Sequence, residues 1–197
     1  MKTEIWLIRH GETEWNRLGK IQGLEDIELN SEGIRQAKRV GLALMDCHFS
    51  VILSSPLKRA LKTAECIQSV NKSAPPLVVN QDLVERHYGN LSGLTYKEKA
   101  KRVKEFGETG VESMEELHKR AVRVLDHIVS TYNGESVAVV SHGGFIKSIM
   151  VAAADGRLSR DELAVSNCSI SKLVHENGRW NIIDYNITKH LGVGSWG

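Results

Sequence analysis

The stretch Val137-Ala138-Val139-Val140-Ser141-His142-Gly143-Gly144 decides the architecture. Four consecutive apolar residues, with none of the alternation of a half-solvated strand, form the pattern of a strand covered on both faces of a parallel sheet. A polar, glycine-bearing turn follows, and Phe145–Ala154 then reads as helix. Outward from this unit the same alternation repeats. Ile5–Ile8 is a compact apolar run and a buried strand. Gly11–Asn30 is too irregular for either element. From Ser31 the residues Ile34, Ala37, Gly41 and Leu44 recur at helical spacing, with Asn30 or Ser31 as N-cap. Val51-Ile52-Leu53 is a second strand, running into Ser55-Pro56, where Ser as N-cap and Pro at the first helical position predict a helix that turns Ala60, Ala64 and Ile67 inward. Leu77-Val78-Val79 is a third strand, and residues 96–106 read as a charged helix. Ser113–Glu116 is a capping box ahead of a stripe of Met114, Leu117, Ala121, Val124 and Ile128. Ser169–Val174 and Trp180–Tyr185 flank Asn177-Gly178, a hairpin signal.

Strands alternating with helices predict an α/β fold: a three-layer αβα sandwich on a mostly parallel central sheet, with the terminal hairpin adding an antiparallel strand. No repeat, linker or low-complexity segment interrupts the 197 residues, so a single domain over 1–197 is expected. A composition 41% hydrophobic and 25% charged is that of a soluble globular domain. The net charge of +2 argues against a nucleic-acid binder working through a dominant cationic face, and the basic run Lys97–Lys104 reads as a solvated helix surface. Cys47, Cys66 and Cys168 are odd in number, widely spaced and without C-x-x-C, which fits a reducing compartment. The apolar run at Ile5 is too short for a signal peptide, and no stretch has the length to span a bilayer, so the expectation is a cytoplasmic protein without membrane partners. No close His or acidic ligand spacing suggests a metal.

Open α/β sheets bind ligands beyond the carboxyl ends of their strands, and three polar clusters fall there. Arg9-His10-Gly11 follows the first strand, Ser54-Ser55-Pro56 with Arg59 the second, and Ser141-His142-Gly143-Gly144 the fourth. A lone histidine at a strand end is more often structural than catalytic. Two His-Gly pairs and two arginines at neighbouring strand ends instead make a convergent cationic site suited to phosphate, through bidentate guanidinium contacts and free helix N–H groups.

These clusters sit inside longer blocks: Leu7–Asn16 (LIRHGETEWN), Ile21-Gln22-Gly23, Ser54–Ala60 (SSPLKRA) with Thr63-Ala64, Glu85–Gly89 (ERHYG) with Leu91 and Gly93, Glu112-Ser113 and Ser141-His142-Gly143. In that order they resemble the histidine phosphatase superfamily, its phosphoglycerate-mutase-like branch in particular. The chain looks most like the broad-specificity phosphatases of the group. The resemblance implies that His10 is a nucleophile forming a covalent phosphohistidine. It implies that Arg9, Arg59 and His142 hold the phosphoryl oxygens and that Glu85 is the proton donor. Asn16 matches a position contacting the transferred phosphate, and Gln22 and Gly23 match a loop offering backbone contacts. Tyr88 and Gly143 are further substrate-binding candidates, and Trp15 reads equally as a core aromatic.

General chemistry supports the same division of roles. Only a neutral imidazole nitrogen can attack phosphorus. Preorganised Arg9, Arg59 and a protonated His142 would stabilise charge spread over the equatorial oxygens. A carboxyl such as Glu85 can protonate the leaving alkoxide and then deprotonate water. With arginines neutralising charge, no metal is expected. The predicted activity is hydrolysis of a small phosphorylated metabolite. The alternative is a phosphoglycerate mutase, which would bring 2,3-bisphosphoglycerate as cofactor. Against it, Thr95 and Tyr96 stand where those mutases carry Asn-Lys, Gly144 where they usually have Asn, and the segment before Glu112 is too short for their paired arginines. A third reading, a non-catalytic phosphoprotein-binding module, is disfavoured because His10, Arg9, Arg59, Glu85 and His142 are all retained. Residues 86–111 are expected to supply most of the substrate-facing wall. The sequence does not specify the natural substrate, the oligomeric state or a role for Gly192–Gly197.

Overall fold

The computed structural model describes residues 1–192; residues 193–197 of the Gly192–Gly197 tail lie outside the described residues. The strands are β1 (Thr3–Arg9), β2 (Val51–Ser54), β3 (Leu77–Val79), β4 (Ser136–Ser141), β5 (Ile170–Glu176) and β6 (Arg179–Ile187). They form one sheet in the order β3-β2-β4-β1-β5-β6. The first four in that order are parallel; β5 lies antiparallel to β1, and β6 antiparallel to β5. The helices are α1 (Glu14–Arg17), α2 (Ser31–Ala43), α3 (Lys58–Gln68), α4 (Tyr96–Phe106), α5 (Met114–Thr131) and α6 (Gly143–Ala154).

β4 is the centre of the molecule. Val137 stands in register with Ile5 and Val51, and Val139 with Leu7 and Leu53. These alternate residues pack under α5 and α6, while Ile8, Ile52, Ala138 and Val140 face α2 and α3. Both faces are therefore apolar, giving the expected three layers. Each such side chain removed from water contributes on the order of 2 kcal/mol. A one-residue slip would exchange the two faces, so burial on both sides fixes the register.

Local chemistry explains most boundaries. Asn30 caps α2 by accepting from Gly33 N at 2.8 Å, and Ser113 with Glu116 forms the predicted capping box of α5. The β5–β6 turn places Asn177 and Gly178 at φ of 54° and 75°, the left-handed pair of a tight hairpin. Some expectations fail. α3 begins at Lys58 with Leu57 as N-cap and no side-chain cap, so Ser55 is not the cap and Pro56 not the first helical residue. The Ser55 hydroxyl is engaged by His142 instead. Ile34 and Met114 are exposed by 37% and 46%. Val40 takes the inward place on α2, while α5 turns inward only from Leu117. The irregular stretch before Asn30 contains one helical turn, α1, capped by Thr13.

Candidate active site

Adjacency of β2, β4 and β1 brings three strand ends together. Arg9, His10, Asn16, Gln22, Gly23, Arg59, Glu85, Tyr88 and Gly143 line one cleft of about 350 Å³. The His142 ring lies beside it, 5.1 Å from that of His10. The ten predicted site residues therefore converge, although they come from five separate segments.

His10 is buried at the end of β1 and its backbone N–H donates to Ser141 O, prolonging the β1–β4 ladder into the site. Its Nδ1 lies 2.7 Å from the carbonyl of Gly11. A carbonyl can only accept, so Nδ1 carries the proton and Nε2 keeps its lone pair. Burial, reinforced by Arg59 and Arg9, holds the imidazole pKa well below the ordinary value of 6.5. His10 is thus neutral, with a fixed tautomer.

The arginines are tethered by carbonyls. Arg59, 1% exposed, donates to Glu25 O at 2.6 Å and to Gly23 O at 2.8 Å. Gly23 thereby orients a cation through its carbonyl; its φ of 55° suits glycine. Burial lowers the Arg59 pKa to about 10, so it remains a cation at neutral pH. Arg9 donates through Nη1 to Val165 O at 2.7 Å. The Nε atoms of both arginines and Nδ1 of His142 are buried without a partner. Three unsatisfied donors in one place form a cradle for an anion.

His142 departs from expectation. Burial first, then Arg59, His10 and Arg9, hold its pKa well below 6.5, so it is neutral rather than protonated. It still donates. The Ser55 Oγ accepts from Leu57 N at 3.3 Å and lies 2.8 Å from His142 Nε2; in the tautomer where the hydroxyl donates to Nε2, the Nδ1–H is the free donor.

Glu85 is bound by two backbone amides, Arg86 N at 2.8 Å and Gly144 N at 2.9 Å. Gly144 is the second residue of α6, so the carboxylate sits on that helix's N-terminus. A Cβ at Gly144 would stand 2.5 Å from Glu85 Oε1, and one at Gly143 would stand 3.2 Å from Arg9 Nε. The glycine pair lets the helix approach both groups. The Asn16 Oδ1 accepts from Thr13 N and Asn167 Nδ2, which leaves its amide NH₂ as its free polar group in the cleft. Gln22 likewise spends its Oε1 on the Thr13 hydroxyl. Burial, followed by the charge of Glu85, raises the Tyr88 hydroxyl to about 12, so it stays a phenol.

The wall departs from the prediction. From residues 86–111 only Tyr88 and Tyr96 line the cleft, whereas Lys20, Ile21, Gly144, Lys147, Arg160 and Val165 complete it. Lys147 and Arg160 carry no motif and had no signal in the sequence. Arg120 did have one, being a charged residue on the buried face of α5 between Leu117 and Ala121. Its guanidinium donates to Asp82 O at 2.9 Å, Val84 O at 2.6 Å and Glu85 O at 3.3 Å. It also pairs with Glu112 at 2.7 Å and lies 4.1 Å from the centre of the Phe145 ring. Among the described residues, no group of three His, Cys, Asp or Glu side chains is arranged to hold a metal, and no helix is long and apolar enough to cross a membrane.

The model of the histidine phosphatase superfamily (branch 1) matches residues 5–188. An uncharacterized phosphatase, PhoE, of Bacillus subtilis (strain 168) is 35% identical over 189 residues, covering 96% of this chain and 97% of that protein. A metal-independent phosphoserine phosphatase of Arabidopsis thaliana is 34% identical over 206 residues, covering 96% and 83%. The crystal structure of an Entamoeba histolytica phosphoserine phosphatase mutant bound to phosphoserine superposes with a TM-score of 0.84 at 30% identity, covering 96% of this chain and 99% of that one. Mutases occur too: a 2,3-bisphosphoglycerate-dependent phosphoglycerate mutase of Cytophaga hutchinsonii is 29% identical over 158 residues, 74% of each chain. With the family model spanning nearly the whole chain, this protein belongs to the histidine phosphatase superfamily, branch 1.

Proposed function

We propose that the chain is a phosphomonoester hydrolase working through a covalent phosphohistidine on His10. The observation that carries this reading is the pairing of a neutral, tautomer-fixed His10 with two tethered arginines. Nε2 attacks phosphorus in line with the ester oxygen. Arg9, Arg59 and the Nδ1–H of a neutral His142 take the equatorial oxygens, with the amide of Asn16. Glu85 gives its proton to the departing alkoxide, and the resulting carboxylate then takes a proton from the water that attacks the phosphohistidine. Both protons balance over the cycle. Arg9 and Arg59 supply the neutralisation that a divalent cation supplies elsewhere, so the reaction needs no metal. The substrate is a small phosphorylated metabolite of the cytoplasm, and one domain over 1–197 carries the activity.

The Glu85–Gly89 block and the mutases among the relatives favour phosphoglycerate mutase activity as the second reading. It would require 2,3-bisphosphoglycerate. ³¹P NMR of 3-phosphoglycerate incubated with the enzyme, with and without that cofactor, separates the two. Inorganic phosphate released without the cofactor, and lost in His10→Ala, is expected. Cofactor-stimulated 2-phosphoglycerate with little free phosphate would overturn the hydrolase reading.

A further inference from the structure

We infer that Lys147 and Arg160 form a second anion subsite on the leaving-group side of the cleft. The preferred substrate is then a phosphomonoester of an alcohol that itself carries an anionic group. This rests on the hydrolase reading and adds to it the chemistry of the leaving group.

Gly144 fixes the location. Its N–H donates to the Glu85 carboxylate at 2.9 Å, and its carbonyl accepts from Arg160 Nη2 at 2.9 Å. Arg160 is held further by Ser148 Oγ at 2.6 Å. Lys147 follows Gly144 by three residues on α6, which sets it on the same helix face, and helical side chains lean back toward the N-terminus. Proton donor, lysine and arginine therefore form one continuous patch. The proton donor must face the ester oxygen, so the cations beside it face whatever that oxygen is attached to.

Their electrostatics need explaining. Lys147 is half-buried, and burial, then Arg160, lowers its ammonium pKa. Its charge leans toward the positive end of the α6 dipole, an unfavourable placement. Asp161 offsets this from a distance, yet among the described residues neither Lys147 nor Arg160 has a carboxylate within ion-pair reach. The phosphoryl group already has Arg9 and Arg59. Cations gathered beyond them, with Glu85 the one carboxylate in the lining, suit a second anion on the substrate. A carboxylate and a second phosphate share this chemistry.

The test compares kcat/KM for glycerol 3-phosphate, 3-phosphoglycerate and propane-1,3-diol bisphosphate, which carry a neutral, a carboxylate and a phosphate tail. The wild-type enzyme is expected to prefer an acidic tail by about tenfold or more, and the tail it prefers identifies the source of the anion. Lys147→Met should erase most of that preference, chiefly through KM, and Lys147→Arg should restore it. Equal efficiency on all three tails, or a preference unchanged in Lys147→Met, would overturn the subsite. p-Nitrophenyl phosphate separates this failure from the broader one. Its turnover without tail preference defeats the subsite alone, whereas no hydrolysis of any ester defeats the phosphatase reading as well.

Discussion

His10 and His142 are two buried imidazoles with ring centres 5.1 Å apart, both under the charge of Arg59 and Arg9. Their identity was legible in the sequence, because each follows an apolar strand and precedes glycine. Their protonation was not. A neutral His10 was required, which the structure supplies through burial, Arg59 and Arg9; a protonated His142 was also expected, and the same surroundings disfavour it. The charge state depends on what surrounds the ring, and the strand ends that surround it are distant in sequence. The depressed pKa values have a consequence for stability. Well above pH 6.5 both rings are neutral in folded and unfolded chains, and the two states bind equal protons. Below it the unfolded chain takes up protons that the folded one refuses, so stability falls as pH drops, by at most about 1.4 kcal/mol per pH unit for each histidine. Thermal melts between about pH 7.5 and 5.5 should show this slope, and a His10→Gln/His142→Gln double variant should flatten it. A wild-type stability that is level or rises on acidification through that window would contradict the assignment.

Among the elements, α5 shows both the reach and the limit of pattern reading. Its capping box and the stripe of Leu117, Ala121, Val124 and Ile128 are visible as periodicity. Arg120 shows in that pattern only as a charge interrupting the buried face; its role is not legible there, because it lies in three carbonyls and Glu112 that the fold delivers from elsewhere. That network holds the backbone of Glu85, so Arg120 is a positioning residue acting through the proton donor. Glu85→Gln should slow hydrolysis of alkyl phosphates by roughly 100-fold or more, and that of p-nitrophenyl phosphate far less, since only a poor leaving group needs the proton. Arg120→Met should show the same leaving-group dependence, with a loss of stability on the order of 3–5 kcal/mol from the orphaned Glu112. Glu112→Gln is a milder variant that keeps the packing. Equal rate losses for both ester types would remove Glu85 from its role and Arg120 with it. At α3 the Ser-Pro signal misled for a related reason. A hydroxyl suited to capping is used instead to fix His142, and local propensity yields to the site.

At the scale of the whole molecule, sheet order does what no single motif can. Residues 5–10, 51–59 and 137–144 are far apart in sequence, yet parallel neighbours in the order β2-β4-β1 deliver their ends to one cleft. The sequence announced the strands, their apolar faces and the polar clusters at their tips, because period and burial are local properties. It pointed to residues 86–111 for the cleft wall, and that segment supplies only Tyr88 and Tyr96. Lys20, Tyr96, Lys147, Arg160 and Val165 arrive from separate elements and share no spacing. The reactive centre was thus legible and the substrate-facing wall was not, as expected when one phosphoryl chemistry is kept and the surrounding loops set the substrate. The most direct test of the central claim is a rapid alkaline quench of the enzyme mixed with a ³²P-labelled phosphomonoester, followed by mapping of the labelled peptide. A base-stable, acid-labile phosphoryl group is expected on Nε2 of His10, formed and lost at rates matching turnover and absent in His10→Ala. Steady hydrolysis without such a label, or a label on any other residue, would contradict it.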